Sequence, residues 1–312
     1  MAPIREIPSA LNKARNGRHF LSIYRFFCDE SYDGDPNAPG SVASGRRDGD
    51  HVPATFVVAG FLADQDTWEC ITGPWQAENE RQGVTRYHAV DLNGLRNEFS
   101  ESKGWSRQKG VAYSKHLLGL IRDRGMDMHA IACGMLVRDY QDVISPEGRE
   151  RFGPPHIACF KTVVSMIAQE IASLRFKFRP GDRFAVIFDQ NRYGAGLVKA
   201  FLGMKWHPSY PFGGTLASCS SGTWEEYVEL QAADFVAYES FKALHRIHKT
   251  GTVMAREALE SLFSNNGFVS YYLDRDSLTK LKPQLERATC EPNGFILQIG
   301  LRDDMGIGIP LP

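Results

Sequence analysis

Three aspartates stand where the hydrophobic pattern of the chain could bring acids together. Asp29 follows the aromatic, strand-like run in FFCDES, and Asp189 ends the apolar run RFAVIFDQN. The carboxyl ends of strands are the places where α/β proteins build their sites. Asp234, in LQAADFVAYE, shares one helical stripe with Gln231 and with large aromatic side chains. A carboxylate on such an inward face needs a proton, a cation or a metal, because an isolated buried charge is costly.

Oxygen ligands of this kind suit the hard divalent ions Mg²⁺ and Mn²⁺. Such ions assist displacement at phosphorus by activating water and stabilising the leaving oxygen. We therefore predict a hydrolase of phosphodiester bonds that depends on Mg²⁺ or Mn²⁺. Its metal ligands and catalytic residues are Asp29, Asp189 and Asp234.

Each acid also has a simpler interpretation when it is taken alone. Asp29 could begin a turn or cap a helix, and Asp189 or Asn191 could cap the next helix. Asp234 could form an ion pair with an arginine. These alternatives stay open, and only the convergence of all three acids favours a metal site.

The charge composition is almost balanced, with 36 Lys and Arg against 37 Asp and Glu. No overall field attracts a polyanion, so a nucleic-acid substrate requires a local group of cations. We expect that group after Asp189, from Lys199, Lys205, Arg192 and His207.

The remaining composition excludes several classes of protein. The 6 cysteines form no CxxC pair, which argues against a zinc site and against a secreted disulfide framework. The first residues, MAPIREIPSALNKARNGRHF, lack the apolar core of a signal peptide, and no later stretch has the apolar length of a membrane span. GAGLVKAFLG does not match the dinucleotide fingerprint. We expect a cytoplasmic protein without a membrane partner or a nucleotide cofactor.

The elements that must position the acids can be read from periodicity and turn residues. Strands are predicted at 21–28, 54–63, 85–90, 126–137, 183–191 and 213–221. Helices are predicted within 66–82, 106–125 and 155–176, and a long helix runs to Lys249 with Thr223 as its N-cap. FILQIGL is a further candidate strand near the end. Strands come first and then alternate with helices, which indicates an α/β domain.

Several of these elements, taken in order, resemble a known family. FFCDES, VVAGFLA, YHAVDL, the strand ending in FDQ, and LQAADFVAYE are similar to the bacterial family catalogued as domain of unknown function 3800, which is placed among ribonuclease-H-like folds. The resemblance covers roughly residues 20–250, and its DES and QxAD elements are the specific ones. It implies a ribonuclease-H-like mixed sheet flanked by helices, with Asp29, Asp189 and Asp234 in its acidic positions. It also implies nucleic acid, DNA or RNA, as the partner.

The predicted organisation has three parts. Residues 1–19 form an N-terminal tail, 20–250 the ribonuclease-H-like domain, and 251–312 a C-terminal extension packed on the same domain. The competing function is a non-catalytic module of the same fold, which binds nucleic acid or a protein through its acidic pocket.

Two further residues are candidates for catalytic roles. Glu30 reaches the Asp29 side only if its strand has already ended, because side chains alternate along a strand. His88 and Asp91, in YHAVDL, could orient a metal ligand or transfer a proton. A histidine that is simply hydrogen-bonded at a strand end is the alternative.

Overall fold

The computed structural model describes residues 22–33, 55–174, 178–190, 193–250, 259–260, 262 and 268–287. The N-terminal tail, the predicted strand FILQIGL, Asn191 and Arg192 lie outside these residues. Within them, the fold is α/β, with a six-stranded mixed sheet flanked by helices.

The sheet has the strand order β5-β4-β1-β2-β3-β6. Its strands are β1 (Ile23–Tyr32), β2 (Thr55–Ala63), β3 (Met128–Leu136), β4 (Arg183–Asp189), β5 (Leu216–Gly222) and β6 (Phe268–Leu273). The first three strands form an antiparallel meander, whereas β4 is parallel to β1, β5 to β4 and β6 to β3. Five of the six predicted strand segments overlap one of these strands.

Helices cover both faces of the sheet. Those described are α1 (Gln65–Gln82), α2 (Ala89–Gly94), α3 (Arg107–Arg122), α4 (Val137–Val143), α5 (Pro146–Phe152), α6 (Pro155–Ala172), α7 (Gly194–Trp206), α8 (Glu229–Thr250) and α9 (Arg275–Arg287). Every residue of β2 and β3 is buried, as expected for strands covered on both sides.

The alternation of side chains along β1 separates two hydrophobic cores. Phe26 and Cys28 belong to the core under α6 and α7, and Phe27 belongs to the core under α1, α3 and α8. Asp29 has the same parity as Phe27, so its side chain points towards the α8 face. Only acids whose side chains point to this same face of the sheet can lie close to Asp29.

The described part of the C-terminal extension adds to the same sheet. β6 pairs with the outer edge of β3, and α9 packs against α4 and α5. Arg275 ties this helix down, since its Nη2 lies 2.7 Å from Asp142 Oδ2. None of the helices in the described ranges combines the length and the apolar character needed to cross a bilayer.

The predicted strand at 85–90 is wrong. Residues 85–88 are an irregular connection, and α2 begins at Ala89. The backbone of this segment bonds to side chains of α8 instead of a neighbouring strand: Tyr87 N donates to Gln231 Oε1 at 2.8 Å. Tertiary hydrogen bonds therefore override the β propensity of TRYHAV.

The predicted start of the long helix is also wrong. α8 begins at Glu229, and Thr223 is not its N-cap. Instead, Thr223 O accepts hydrogen bonds from Glu226 N at 3.0 Å and from Tyr227 N at 2.9 Å, which closes a separate turn. This turn carries Trp224 close to the end of β5.

Candidate functional site

Asp29 and Asp189 lie on adjacent parallel strands. The register of β1 and β4 pairs Cys28 with Phe188, so the two aspartates are the next residues of both strands. Because side chains of paired residues in a parallel sheet point to the same face, both carboxylates belong to the α8 side. The prediction that these strands lie side by side is confirmed.

Both strand acids bond to the backbone in the same way. Asp29 Oδ1 accepts from Glu30 N at 2.8 Å, and Asp189 Oδ1 accepts from Gln190 N at 3.0 Å. Each bond orients one carboxylate oxygen. Among the described residues, Asp29 has no ion pair with a cationic side chain.

The third acid reaches the same face from α8. Asp234 Oδ2 accepts from Ala89 N at 2.7 Å, and Ala89 is the first residue of α2. A carboxylate is favoured at such a helix N-terminus, because the first amides of a helix lack partners within it. Asp234 therefore fixes α2 against α8 while remaining half-buried beside the sheet edge.

Gln231, one turn earlier on α8, anchors the same connection. It is 3% exposed, and its Oε1 accepts from Tyr87 N at 2.8 Å. The same oxygen accepts from Asn79 Nδ2 at 2.9 Å and from Trp75 Nε1 at 3.1 Å. The predictions that Gln231 is buried and bonds near the acids are both confirmed.

The three aspartates share a site with too little positive charge. Burial raises the pKa of Asp29 well above its usual value, and the charges of Glu30, Asp234 and Asp189 raise it further. Burial also raises the pKa of Asp189, and it raises that of Asp234 to about 6. A group of carboxylates that disfavours its own ionisation attracts protons or cations.

His88 lies at the border of this site. Its Nδ1 is 2.8 Å from Asp91 Oδ2, and its side chain is 34% exposed. His88 directly precedes Ala89, whose N–H bonds to Asp234, and the charge of His88 lowers the pKa of Asp234 and of Asp189. His88 thus has a structural partner and also faces the acids.

Glu30 does not meet the condition under which it would reach the Asp29 side. β1 continues to Tyr32, and Glu30 pairs with Val58 within the ladder. Alternation therefore turns the Glu30 side chain to the α6 and α7 face, where it lines a pocket with His156 and Tyr193.

The predicted phosphate-binding cations are also placed differently. Lys205 Nζ donates to Ala217 O at 2.6 Å, near the start of β5, whereas Asp189 pairs with Gly222 at the end of that strand. α7 runs back across the sheet, so Lys205 and His207 lie at the edge opposite Asp189, and the expectation for them is wrong. Lys199 is exposed partway along α7, and Arg192 lies outside the described residues.

Among the described residues, Arg86 is a cation whose charge reaches the acids, although the sequence did not point to it. Its charge lowers the pKa of Asp189, Asp234 and Asp91. Its guanidinium carbon lies 4.8 Å from the ring centre of Trp224. The available signal is its position two residues before His88, within the segment predicted as a strand at 85–90.

The donor chemistry of the site suits a hard cation, but the site is not assembled around one. Within the ranges that the structure describes, no three His, Cys, Asp or Glu side chains are arranged to hold one metal ion together. Asp29, Asp189 and Asp234 would be its ligands, since they converge on one face and repel one another. Metal binding by these residues stays a prediction.

Comparison of the chain with protein-family models, with curated proteins and with solved structures finds no match. The family resemblance therefore stays a prediction.

Proposed function

We propose that the protein is a ribonuclease-H-like hydrolase of phosphodiester bonds in nucleic acid, dependent on Mg²⁺ or Mn²⁺. The observation that carries the proposal is the convergence of Asp29, Asp189 and Asp234 on one face of the sheet edge. Each acid comes from a different element, and the charges of Asp234 and Asp189 both raise the pKa of Asp29. Structural ion pairs do not require acids to be gathered in this way.

The topology supports the ribonuclease-H-like part of the proposal. An antiparallel meander of three strands is followed by two strands parallel to the first, and Asp29 and Asp189 lie at the ends of the adjacent strands β1 and β4. This arrangement puts two carboxylates at the carboxyl edge of parallel strands, where α/β proteins bind ligands.

The chain's own groups can be given roles at this site. Asp29, Asp189 and Asp234 would hold the divalent ion, which when bound supplies charge neutralisation at the phosphate and a more acidic water. The hydrogen bonds from Glu30 N and Gln190 N orient two of the carboxylates. His88, held through Nδ1 by Asp91, can exchange a proton with solvent or a leaving oxygen through Nε2.

One observation favours the competing function, a non-catalytic binding module. No three-ligand metal group is assembled within the described residues. A binding module would keep the acidic face without drawing the carboxylates together on a cation.

The deciding experiment compares the wild type with Asp29→Asn and Asp234→Asn. Cleavage of single- and double-stranded DNA and RNA would be measured with Mg²⁺, with Mn²⁺ and with EDTA. Asparagine keeps the side-chain shape but removes the charge that holds the metal, so both variants should fold and lose cleavage. Asp123→Asn, an exposed change after α3, is the matched control.

Melting temperatures measured in parallel separate metal binding from chemistry. Mn²⁺ should raise the melting temperature of the wild type and of Asp123→Asn by mass action, and it should raise that of the two site variants much less. Equal shifts in all four proteins, or wild-type cleavage by the site variants, would retire the nuclease proposal in favour of the binding module.

A further inference from the structure

The position of Arg86 is fixed by its neighbours in sequence. Tyr87 N donates to Gln231 Oε1 at 2.8 Å, and Ala89 N donates to Asp234 Oδ2 at 2.7 Å. Both acceptors are on α8, one turn apart. The backbone directly after Arg86 is thus held on the helix that carries one of the three acids.

The side chain of Arg86 is fixed by an aromatic ring. Its guanidinium lies over Trp224, with 4.8 Å between Cζ and the ring centre. Trp224 lies two residues after Gly222, which pairs with Asp189 between β5 and β4. An arginine that contacts the face of a tryptophan ring makes a cation–π interaction without using its N–H donors, which stay available to other partners.

No described residue forms an ion pair with Arg86. Among the described residues, it forms no salt bridge or hydrogen bond, although it is half-buried and its charge reaches three carboxylates. A structural arginine in such surroundings would be expected to pair with one of these acids directly. The guanidinium instead contacts Trp224, and within the described residues its N–H donors have no hydrogen-bond acceptor.

We infer that Arg86 is a phosphate-binding residue, which donates to the non-bridging oxygens of a nucleic-acid phosphodiester placed between it and the three aspartates. This inference rests on the proposed function, because it assigns the phosphate that the acids would act on. Arginine suits the task, since its planar fork can bond two phosphate oxygens at once. Trp224 acts on the phosphate only through Arg86 and is a positioning residue.

The test measures binding separately from cleavage. Short fluorescein-labelled single strands of DNA and of RNA would be titrated with protein by anisotropy, at several salt concentrations, with Ca²⁺ in place of Mg²⁺. Arg86→Gln should weaken binding by about tenfold, which is the scale expected for a charged hydrogen-bonded contact. It should also reduce the slope of log K against log salt by about 0.7, the value for one phosphate contact on a single strand.

Two further variants separate a phosphate contact from a structural role. Arg86→Lys keeps the charge but not the fork, so it should restore the salt slope while leaving the affinity several-fold weaker. Arg138→Gln, on α4, removes an equal charge from a surface ion pair with Asp142 and should change neither quantity. The Mn²⁺-induced rise in melting temperature should be undiminished in Arg86→Gln, because a lost cation cannot weaken the attraction of the acids for metal.

The possible outcomes distinguish this inference from the proposed function. If the wild type cleaves nucleic acid and Arg86→Gln keeps the wild-type affinity and salt slope, the inference about Arg86 is wrong and the proposed nuclease function is retained. If the wild type binds without cleaving and Arg86→Gln shows the salt slope expected for the loss of one phosphate contact, the inference about Arg86 is supported and the proposed nuclease function is wrong. Absence of binding by the wild type would overturn the inference.

Discussion

Gln231 and Asp234 occupy the same face of α8, one turn apart, and their environments are opposite. The amide oxygen of Gln231 accepts three hydrogen bonds, from Trp75, Asn79 and Tyr87, and Asn79 in turn accepts from Tyr113 at 2.6 Å. Asp234 has one backbone donor and lies beside two other carboxylates. A neutral acceptor that bonds several buried donors stabilises a fold, whereas carboxylates gathered together repel one another until a cation binds. The same helix therefore carries one group that holds the structure and one that is suited to function.

The largest effect should come from breaking the Gln231 network. Gln231→Leu leaves the donors of Trp75, Asn79 and Tyr87 buried without their acceptor, and each such group costs about 1 to 3 kcal/mol. We expect the free energy of unfolding, measured in urea, to fall by about 3 kcal/mol or more. Gln108→Leu, an exposed change on α3, should cost less than about 0.5 kcal/mol. Equal losses in the two variants would show that the network does not hold the fold.

A smaller effect of opposite sign is expected at the acids. Asp29→Asn removes a charge that burial and three neighbouring acids disfavour. The metal-free protein at neutral pH should therefore gain stability, on the order of 1 kcal/mol. Urea unfolding in EDTA measures the change. A loss of stability would mean that the Asp29 carboxylate has a stabilising partner and that the contrast with Gln231 is false.

The sequence predicted the acids better than their surroundings. Asp29 and Asp189 end apolar runs, and Asp234 lies on a strongly periodic helix, so local patterns were sufficient to place them. Arg86 could not be selected in this way, because its position depends on Gln231 and on a turn near the end of β5. Such tertiary contacts have no local sequence signal.

Two elements of the fold illustrate the same limit. TRYHAV has a strand-like composition, but its backbone bonds to side chains of α8. β6, which the sequence analysis did not predict, is only partly buried along most of its length at the outer edge of the sheet, so it lacks the apolar run that marked β4. The central strands were predictable because burial on both faces imposes a continuous apolar sequence.

The pH dependence of stability tests whether the pKa of Asp234 is raised in the folded protein. Its pKa is raised from 3.8 to about 6, so the folded protein binds a proton more tightly than the unfolded chain. The resulting stabilisation is complete below about pH 4 and is lost as the pH rises through about 6. Without metal, Asp234→Asn should flatten this part of the profile, whereas Asp123→Asn should leave it unchanged. Urea unfolding at several pH values provides the measurement, and an unaltered profile in Asp234→Asn would contradict the assignment.

The smallest effect on stability is expected at Asp91, whose pKa shift has the opposite sign to that of Asp234. Burial acts to raise the pKa of Asp91, but hydrogen bonds from Asn97 and His88 outweigh it, and the pKa is lowered. The contribution of Asp91 to stability is therefore present at neutral pH and lost as the pH falls through its folded pKa. Asp91→Asn should cost less than about 1 kcal/mol near neutral pH, because the pair is near the surface. That cost should disappear in acid.

Asp234 and Asp91 thus give the free energy of unfolding opposite slopes against pH, although both form hydrogen bonds within the segment between Tyr87 and Asn97. If Asp91→Asn instead stabilised the protein at neutral pH, the repulsion between Asp91 and the three aspartates would outweigh its attraction to His88. Asp91 would then not be the residue that positions His88, and it would become a candidate fourth carboxylate ligand of the metal. Stability of Asp91→Asn and of the double variant with Asp234→Asn decides between these arrangements, because effects of independent sites add and those of a shared site do not.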